Sequence, residues 1–281
     1  MAGRTWFVTG SSRGLGREWT EAALERGDRV AAAARDLTSL TPLVSKYGEA
    51  VLPVSLDVTD RLTAFAAVQQ AADHFGTLDI VLNNAGYGLF GMVEEVTEAQ
   101  AREQLDTNFF GALWVTQAAL PIMRAQGHGH LIQVSSVGGL FSVPGLGLYH
   151  ASKFALEGFT ASLAKEVKDF GIRVTLIEPG GYDTEWSGSS AVRADPLPAY
   201  DGFRAKMPDR AAAGRGNPVA TREAILKVAD ADEPPLRIFF GKGPLDLMRQ
   251  EYAGRIAEWE AWAAVSHAAH GPTSESGFRD R

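Results

Sequence analysis

Trp6-Phe7-Val8-Thr9-Gly10-Ser11-Ser12-Arg13-Gly14-Leu15-Gly16 joins a short apolar run to the start of an amphipathic one. Residues 6–8 have the aromatic and β-branched character of a buried strand. Residues 15–26 have helical length and are closed by Gly27. Between them, glycines permit a tight turn and let backbone N–H groups approach a pyrophosphate, with the helix N-terminus adding a favourable dipole. The spacing is G-x-x-x-G-x-G rather than the commoner G-x-G-x-x-G. The same glycines would also serve a plain strand-to-helix turn.

Outward from this stretch, short apolar runs alternate with helix-length runs. Strands are expected at residues 30–34 (weakened by alanines), 51–56, 80–82, 131–134, 174–177 and 237–240. Helices are expected at residues 37–44, with Pro42 in the first turns, and at 62–75, 98–106, 109–125 and 149–170. Strands alternating with helices imply right-handed crossovers and a parallel sheet covered on both faces, an α/β doubly wound fold of about seven strands. One domain over residues 1–270 is expected. Residues 185–217 break the rhythm with prolines and scattered charges and read as a partly helical lid. Residues 271–281 form a polar tail expected to be disordered.

Composition narrows the function. The chain has 281 residues, a net charge of −7, 45% hydrophobic and 22% charged residues. No long basic run offers a phosphate-tracking surface, so nucleic acid is not an expected partner. The chain has no cysteine, which excludes disulfides, thiol nucleophiles and Cys-ligated zinc and fits a reducing cytoplasm. No run reaches the length of a membrane span, and the first apolar run is too short for a signal-peptide core. A cytoplasmic protein is the expectation.

Two arginines refine the glycine loop. Arg13 lies within it, and Arg35 follows the second strand. An acidic side chain at that second position holds a ribose 2′-hydroxyl, whereas arginine accommodates a 2′-phosphate through paired hydrogen bonds. The expected cofactor is NADP(H), although Asp36 next to Arg35 blurs the distinction. Tyr149 and Lys153 stand four residues apart on one helix face. At about 5 Å and an effective dielectric near 20, an ammonium favours the phenolate by roughly 3 kcal/mol, or about 2 pKa units. A tyrosine so tuned serves as an acid/base near neutral pH. Ser135 and Ser136 end the strand just upstream, where ligands bind in open α/β sheets. A plain helix-surface pair is the rival reading of Tyr149 and Lys153.

With the glycine loop, Asn83-Asn84-Ala85-Gly86, Ser136 and Tyr149/Lys153 in this order, the chain resembles the classical short-chain dehydrogenase/reductases, from about residue 4 to 184. Residues 136–158 look most like the 17β-hydroxysteroid-dehydrogenase-like branch. The resemblance implies a Rossmann-type fold and a set of roles. Ser136 would hydrogen-bond the substrate oxygen, Tyr149 would donate or accept the proton, and Lys153 would bind the nicotinamide ribose and lower the tyrosine pKa. Asn108 would support a proton-relay water. Gly10, Arg13, Gly14, Leu15 and Gly16 would form the cofactor loop, and Arg35 would meet the 2′-phosphate. Asp57 and Val58 would contact the adenine, and Asn84, Ala85 and Gly86 would line the adenine ribose. Pro179, Gly180 and Thr184 would cover the nicotinamide end. Each has a plainer alternative: Asn108, Asp57 and Thr184 as helix N-caps, and Ser136 as a cap of the strand-to-loop turn.

The expected reaction is hydride transfer between NADP(H) and a ketone, aldehyde or secondary alcohol. Phe90, Phe141, Val143, Leu146, Leu148 and Trp186 would make the pocket apolar and the substrate hydrophobic, unless they pack the core. A non-catalytic NADP(H)-binding sensor is the rival from another class, and a nucleotide-sugar epimerase or dehydratase the rival within the fold. His128 and His130 read as a loop pair without companion ligands, so no metal is expected. Trp259 and Trp262 lie on a C-terminal amphipathic stretch suited to core packing or to a subunit contact in a homo-oligomer.

Overall fold

Alternation along the first strand sets the layers. In β1 (Thr5–Thr9), Phe7 points to one side of the sheet while Trp6 and Val8 point to the other, as the two-residue period requires. The structure, a computed structural model, describes residues 3–207 and 214–271. The contacts divide the chain into two compact units, Met1–Lys242 and Gly243–Arg281.

The first unit holds β1, β2 (Arg29–Ala34), β3 (Val51–Ser55), β4 (Ile80–Asn83), β5 (Gly129–Val134), β6 (Ile172–Pro179) and β7 (Arg237–Phe240). They form one parallel sheet in the order β3-β2-β1-β4-β5-β6-β7. The order reverses between β1 and β4, which opens the crevice where ligands bind in such sheets. Its helices are α1 (Gly14–Glu25), α2 (Thr41–Tyr47), α3 (Arg61–Phe75), α4 (Glu98–Leu105), α5 (Gly111–Gln126), α6 (Gly147–Glu166) and α7 (Thr221–Asp230). Phe7, Ala31, Ala33, Val81 and Leu131 pack with residues of α3, α5 and α6. Trp6, Val8, Val30, Ala32, Ile80, Leu82 and Ile132 pack with residues of α1, α2 and α7 on the opposite face. The alanine-rich β2 is a full strand because bulk comes from its neighbours: Trp6 and Trp19 are fully buried in the same cluster. Pro42 falls in the first turn of α2, where its missing N–H costs nothing.

Three expectations need correction. The two helices predicted at 98–106 and 109–125 are joined without a break by a wide turn at Asp106–Phe110, whose backbone bonds span five residues. The second histidine of the predicted loop pair, His130, belongs to β5, is buried, and bonds Thr175 Oγ1 at 2.9 Å. The lid is more strand-like than predicted: Val192–Arg193 pairs in parallel with Leu89–Phe90, beside short helical turns at Glu185–Ser187, Pro198–Tyr200 and Asp201–Arg204. Residues 208–213 of this stretch, Pro208 among them, lie outside the described residues, as do residues 272–281 of the tail.

The second unit contributes α8 (Pro244–Ala261) and α9 (Ala263–His270). Trp259 and Trp262 are 65% and 64% exposed, so they do not pack a core. No described helix is long and apolar enough to cross a membrane.

Candidate active site

The glycine loop runs from the end of β1 into α1. Gly10 and Gly14 have positive φ of 69° and 56°, so the turn suits glycine. At Gly16 a Cβ would strike the Gly10 carbonyl oxygen and the Asn84 carboxamide. Asn84 is itself anchored there: its Nδ2 donates to Thr9 O at 3.1 Å and to Gly10 O at 3.2 Å. The Thr9 hydroxyl oxygen accepts from the N–H groups of Asn84 and Ala85, each at 3.0 Å. The loop and the segment after β4 are thus fastened together across the crevice. Thr9 was missed in the sequence, although it directly precedes Gly10.

Arg13 caps α1 with extended backbone and no side-chain cap, which leaves first-turn amides for an anion. Its guanidinium pairs with Glu185 at 3.1 Å. Arg35 is exposed and carries no hydrogen bond or ion pair among the described residues. Asp36 caps the next turn instead, accepting from Thr38 N at 2.9 Å and from Thr38 Oγ1 at 2.8 Å. These bonds hold its carboxyl below the usual range. The donor set, uncapped amides and two arginines, fits the phosphates of a nicotinamide dinucleotide.

The helix-cap alternatives resolve residue by residue. Asp60, not Asp57, caps α3, accepting from Leu62 N and Thr63 N; Asp57 accepts from Thr59 N at 3.0 Å. Val58 beside it is buried. Thr184 does cap the turn at Glu185–Ser187, and its Cβ also stands 3.7 Å from where a Cβ on Gly14 would be. Pro179 ends β6, and Gly180 N donates to Phe240 O at 2.8 Å. Asn108 is no cap. It sits buried in the wide turn, with Oδ1 accepting from Tyr87 N at 3.0 Å and Nδ2 donating to Tyr87 O at 3.0 Å and Ser152 Oγ at 3.1 Å. Its carboxamide is committed to these three bonds. Gly86 separates it from Lys153: a Cβ there would lie 3.0 Å from Asn108 Oδ1 and 3.7 Å from Lys153 Nζ.

Ser136 lies past the end of β5 and Tyr149 in the first turn of α6. Ser136 Oγ accepts from Gly138 N at 3.0 Å, the predicted turn cap, and also hydrogen-bonds the Tyr149 hydroxyl. The expected lowering of the tyrosine is reversed. Burial dominates and pushes the Tyr149 phenol up to about 12, with the Ser136 bond opposing it. Lys153 lies 5.9 Å from the Tyr149 ring centroid and its ammonium donates to Val134 O at 2.8 Å. Burial pushes Lys153 down to about 8, and the Glu157 carboxylate works against that fall. A buried, protonated phenol with a hydroxyl and a cation beside it is a proton donor in waiting.

Over this group, the Trp186 ring meets Tyr149 edge-on at 4.9 Å and Phe90 at 5.4 Å. Phe141, Val143 and Leu148 are half-buried, while Leu146 is buried as core. His150, unremarked in the sequence, fixes the loop before α6. Its Nδ1 bonds Gly138 O at 2.7 Å and its Nε2 accepts from Val143 N at 3.1 Å.

The chain is similar to known proteins. The short chain dehydrogenase family model matches residues 4–193. An oxidoreductase of Botryotinia fuckeliana, BOA17, is 42% identical over 275 residues, covering 94% of this chain and 98% of that protein. A 3-ketodihydrosphingosine reductase of Bacteroides thetaiotaomicron is 33% identical over 240 residues, covering 84% of this chain and 87% of its own length. The crystal structure of a short-chain dehydrogenase from Streptomyces avermitilis superposes with a TM-score of 0.89 at 34% identity, covering 95% of this chain and 98% of that one. Family match and fold agree, and the chain belongs to the short-chain dehydrogenases, oxidoreductases that bind a nicotinamide dinucleotide.

Proposed function

We propose that this protein is an NADP(H)-dependent carbonyl reductase acting on a hydrophobic ketone or aldehyde. The observation that carries the reading is the hydrogen-bonded pair of Ser136 and Tyr149 hydroxyls at the strand end, with the Lys153 ammonium buried beside it. The uncapped start of α1, Arg13 and Arg35 would hold the phosphates, and Thr184 and Pro179 would cover the nicotinamide end. When bound, the nicotinamide supplies the hydride. The chain's residues do the rest. The Ser136 and Tyr149 hydroxyls orient the carbonyl oxygen, and both stabilise the negative charge that develops on it. Tyr149 delivers its proton to that oxygen, and Lys153 stabilises the phenolate that remains until solvent restores the proton. A phenol held protonated at neutral pH supports reduction as the working direction.

NADP(H) rather than NAD(H) is favoured because Arg35 is uncommitted while Asp36 is engaged by Thr38. Trp186 and Phe90 beside Tyr149 favour an apolar substrate. The similarity to a 3-ketodihydrosphingosine reductase supports a ketone on a hydrophobic molecule. The test is NADPH consumption over a panel of aliphatic, aromatic and polycyclic ketones by wild type and Tyr149→Phe. Turnover that falls about 10²–10⁴-fold in the variant, with NADPH binding retained, is expected. Near-normal turnover by the variant overturns the mechanism. Tight NADPH binding without turnover by wild type on the whole panel favours the sensor reading instead.

A further inference from the structure

Beneath Lys153 lies a polar cluster that the proposed reaction does not use. Glu157 is one helical turn along α6 from Lys153 and is 5% exposed; Glu178, near the end of β6, is 0% exposed. Arg237, at the start of β7, places its Nε 2.8 Å from Glu157 Oε2 and 3.5 Å from Glu178 Oε1. Glu157 also touches the turn that carries Ser136. A Cβ on Gly139 would lie 3.0 Å from Glu157 Cγ, 2.8 Å from Ser135 Oγ and 3.2 Å from the Lys153 carbonyl oxygen. The Glu157 stem is therefore packed against the serine turn, and its carboxylate is held by Arg237.

Two buried acids side by side need a proton between them. Glu157 Oε1 and both Glu178 oxygens lack a donor among the described residues. A single proton on Glu178, directed at Glu157, supplies one. Burial and the neighbouring Glu157 charge both hold Glu178 well above the ordinary carboxylate range, against the opposing pull of Arg237. Glu157 is paired with Arg237 and stands one helical turn from Lys153 on α6. Among the described residues, Tyr149 and Glu157 on α6 stand nearest Lys153, and Glu157 is bordered in turn by Glu178 on β6 and Arg237 on β7.

We propose that Glu157 is a positioning residue of the reaction, a buried carboxylate that keeps the Lys153 ammonium charged and in place, with Glu178 as its proton-bearing partner and Arg237 as its clamp. The proposal rests on the reading of Tyr149 and Lys153 as the acid/base pair. Removing the Glu157 charge makes the Tyr149–Lys153 pair give up a proton at lower pH, so the alkaline limb of carbonyl reduction moves down.

The test reads Lys153 directly, without substrate. In protein carrying isotope-labelled lysine, the Lys153 signal is assigned by its loss in Lys153→Arg and followed by NMR against pH. Glu157→Gln should lower the Lys153 titration by about one pH unit, while Glu178→Gln, which mimics the protonated acid, should leave it in place. An unmoved Lys153 in Glu157→Gln, or equal shifts in both variants, overturns the proposal. A second measurement needs only the wild-type fold and Glu178→Gln: infrared spectra at neutral pH should contain a protonated carboxyl band that this substitution removes. Absence of that band in wild type also overturns it. If Tyr149→Phe keeps its turnover, the functional reading falls, whereas the Lys153 titration still decides whether Glu157 controls the lysine.

Discussion

Replacing Asn108 with alanine should weaken the whole fold as well as the site. The carboxamide makes three hydrogen bonds at 3.0, 3.0 and 3.1 Å, and the residue is 1% exposed. Their loss is uneven. The Tyr87 carbonyl keeps a donor in Gln104 Nε2 at 3.1 Å, and the Ser152 hydroxyl keeps its bond to Tyr149 O at 2.7 Å. The Tyr87 N–H loses the one acceptor that Asn108 gave it. One orphaned donor costs about 1–3 kcal/mol, and two replaceable bonds contribute about 1 kcal/mol together, for a total of about 3 kcal/mol. At roughly 2–4 °C per kcal/mol for a large domain, Tm should fall by about 6–12 °C. Urea unfolding followed by circular dichroism measures the free energy, and a thermal scan the Tm. A loss below about 1 kcal/mol would refute the idea that this carboxamide braces the wide turn against the segment after β4. Because that turn borders Lys153 across Gly86, turnover should fall with NADPH affinity little changed.

Two further outcomes bear on the cofactor. Gly16→Ala should cost at least about tenfold in NADPH affinity by fluorescence titration, because its Cβ meets the Gly10 backbone; affinity within about twofold of wild type would show that the loop has room to spare. Arg35→Asp should lower the NADPH-over-NADH ratio of kcat/KM by roughly 30-fold, the equivalent of about 2 kcal/mol for a charge-assisted bond lost. An unchanged ratio would remove Arg35 from 2′-phosphate recognition.

Much of this molecule was legible in one dimension. The unbroken apolar run of Trp6, Phe7 and Val8 marked β1 as a buried strand, and the glycines after it marked the crevice at which the sheet order reverses. The i, i+4 spacing of Tyr149 and Lys153 put both on one face of α6, and local geometry alone guarantees that. Tertiary structure decided what spacing cannot encode. Whether Lys153 or burial governs the Tyr149 phenol depends on how much water the fold removes, and here burial wins. Asn108, expected to support a relay water or to cap a helix, is aimed by the wide turn at Tyr87, seen only once the segment after β4 crosses it. Glu157, Glu178 and Arg237 lie on three separate elements, 80 residues apart from first to last. Their shared burial, and with it the charge beneath Lys153, exists only because parallel strands β6 and β7 and helix α6 bring distant residues into one low-dielectric space.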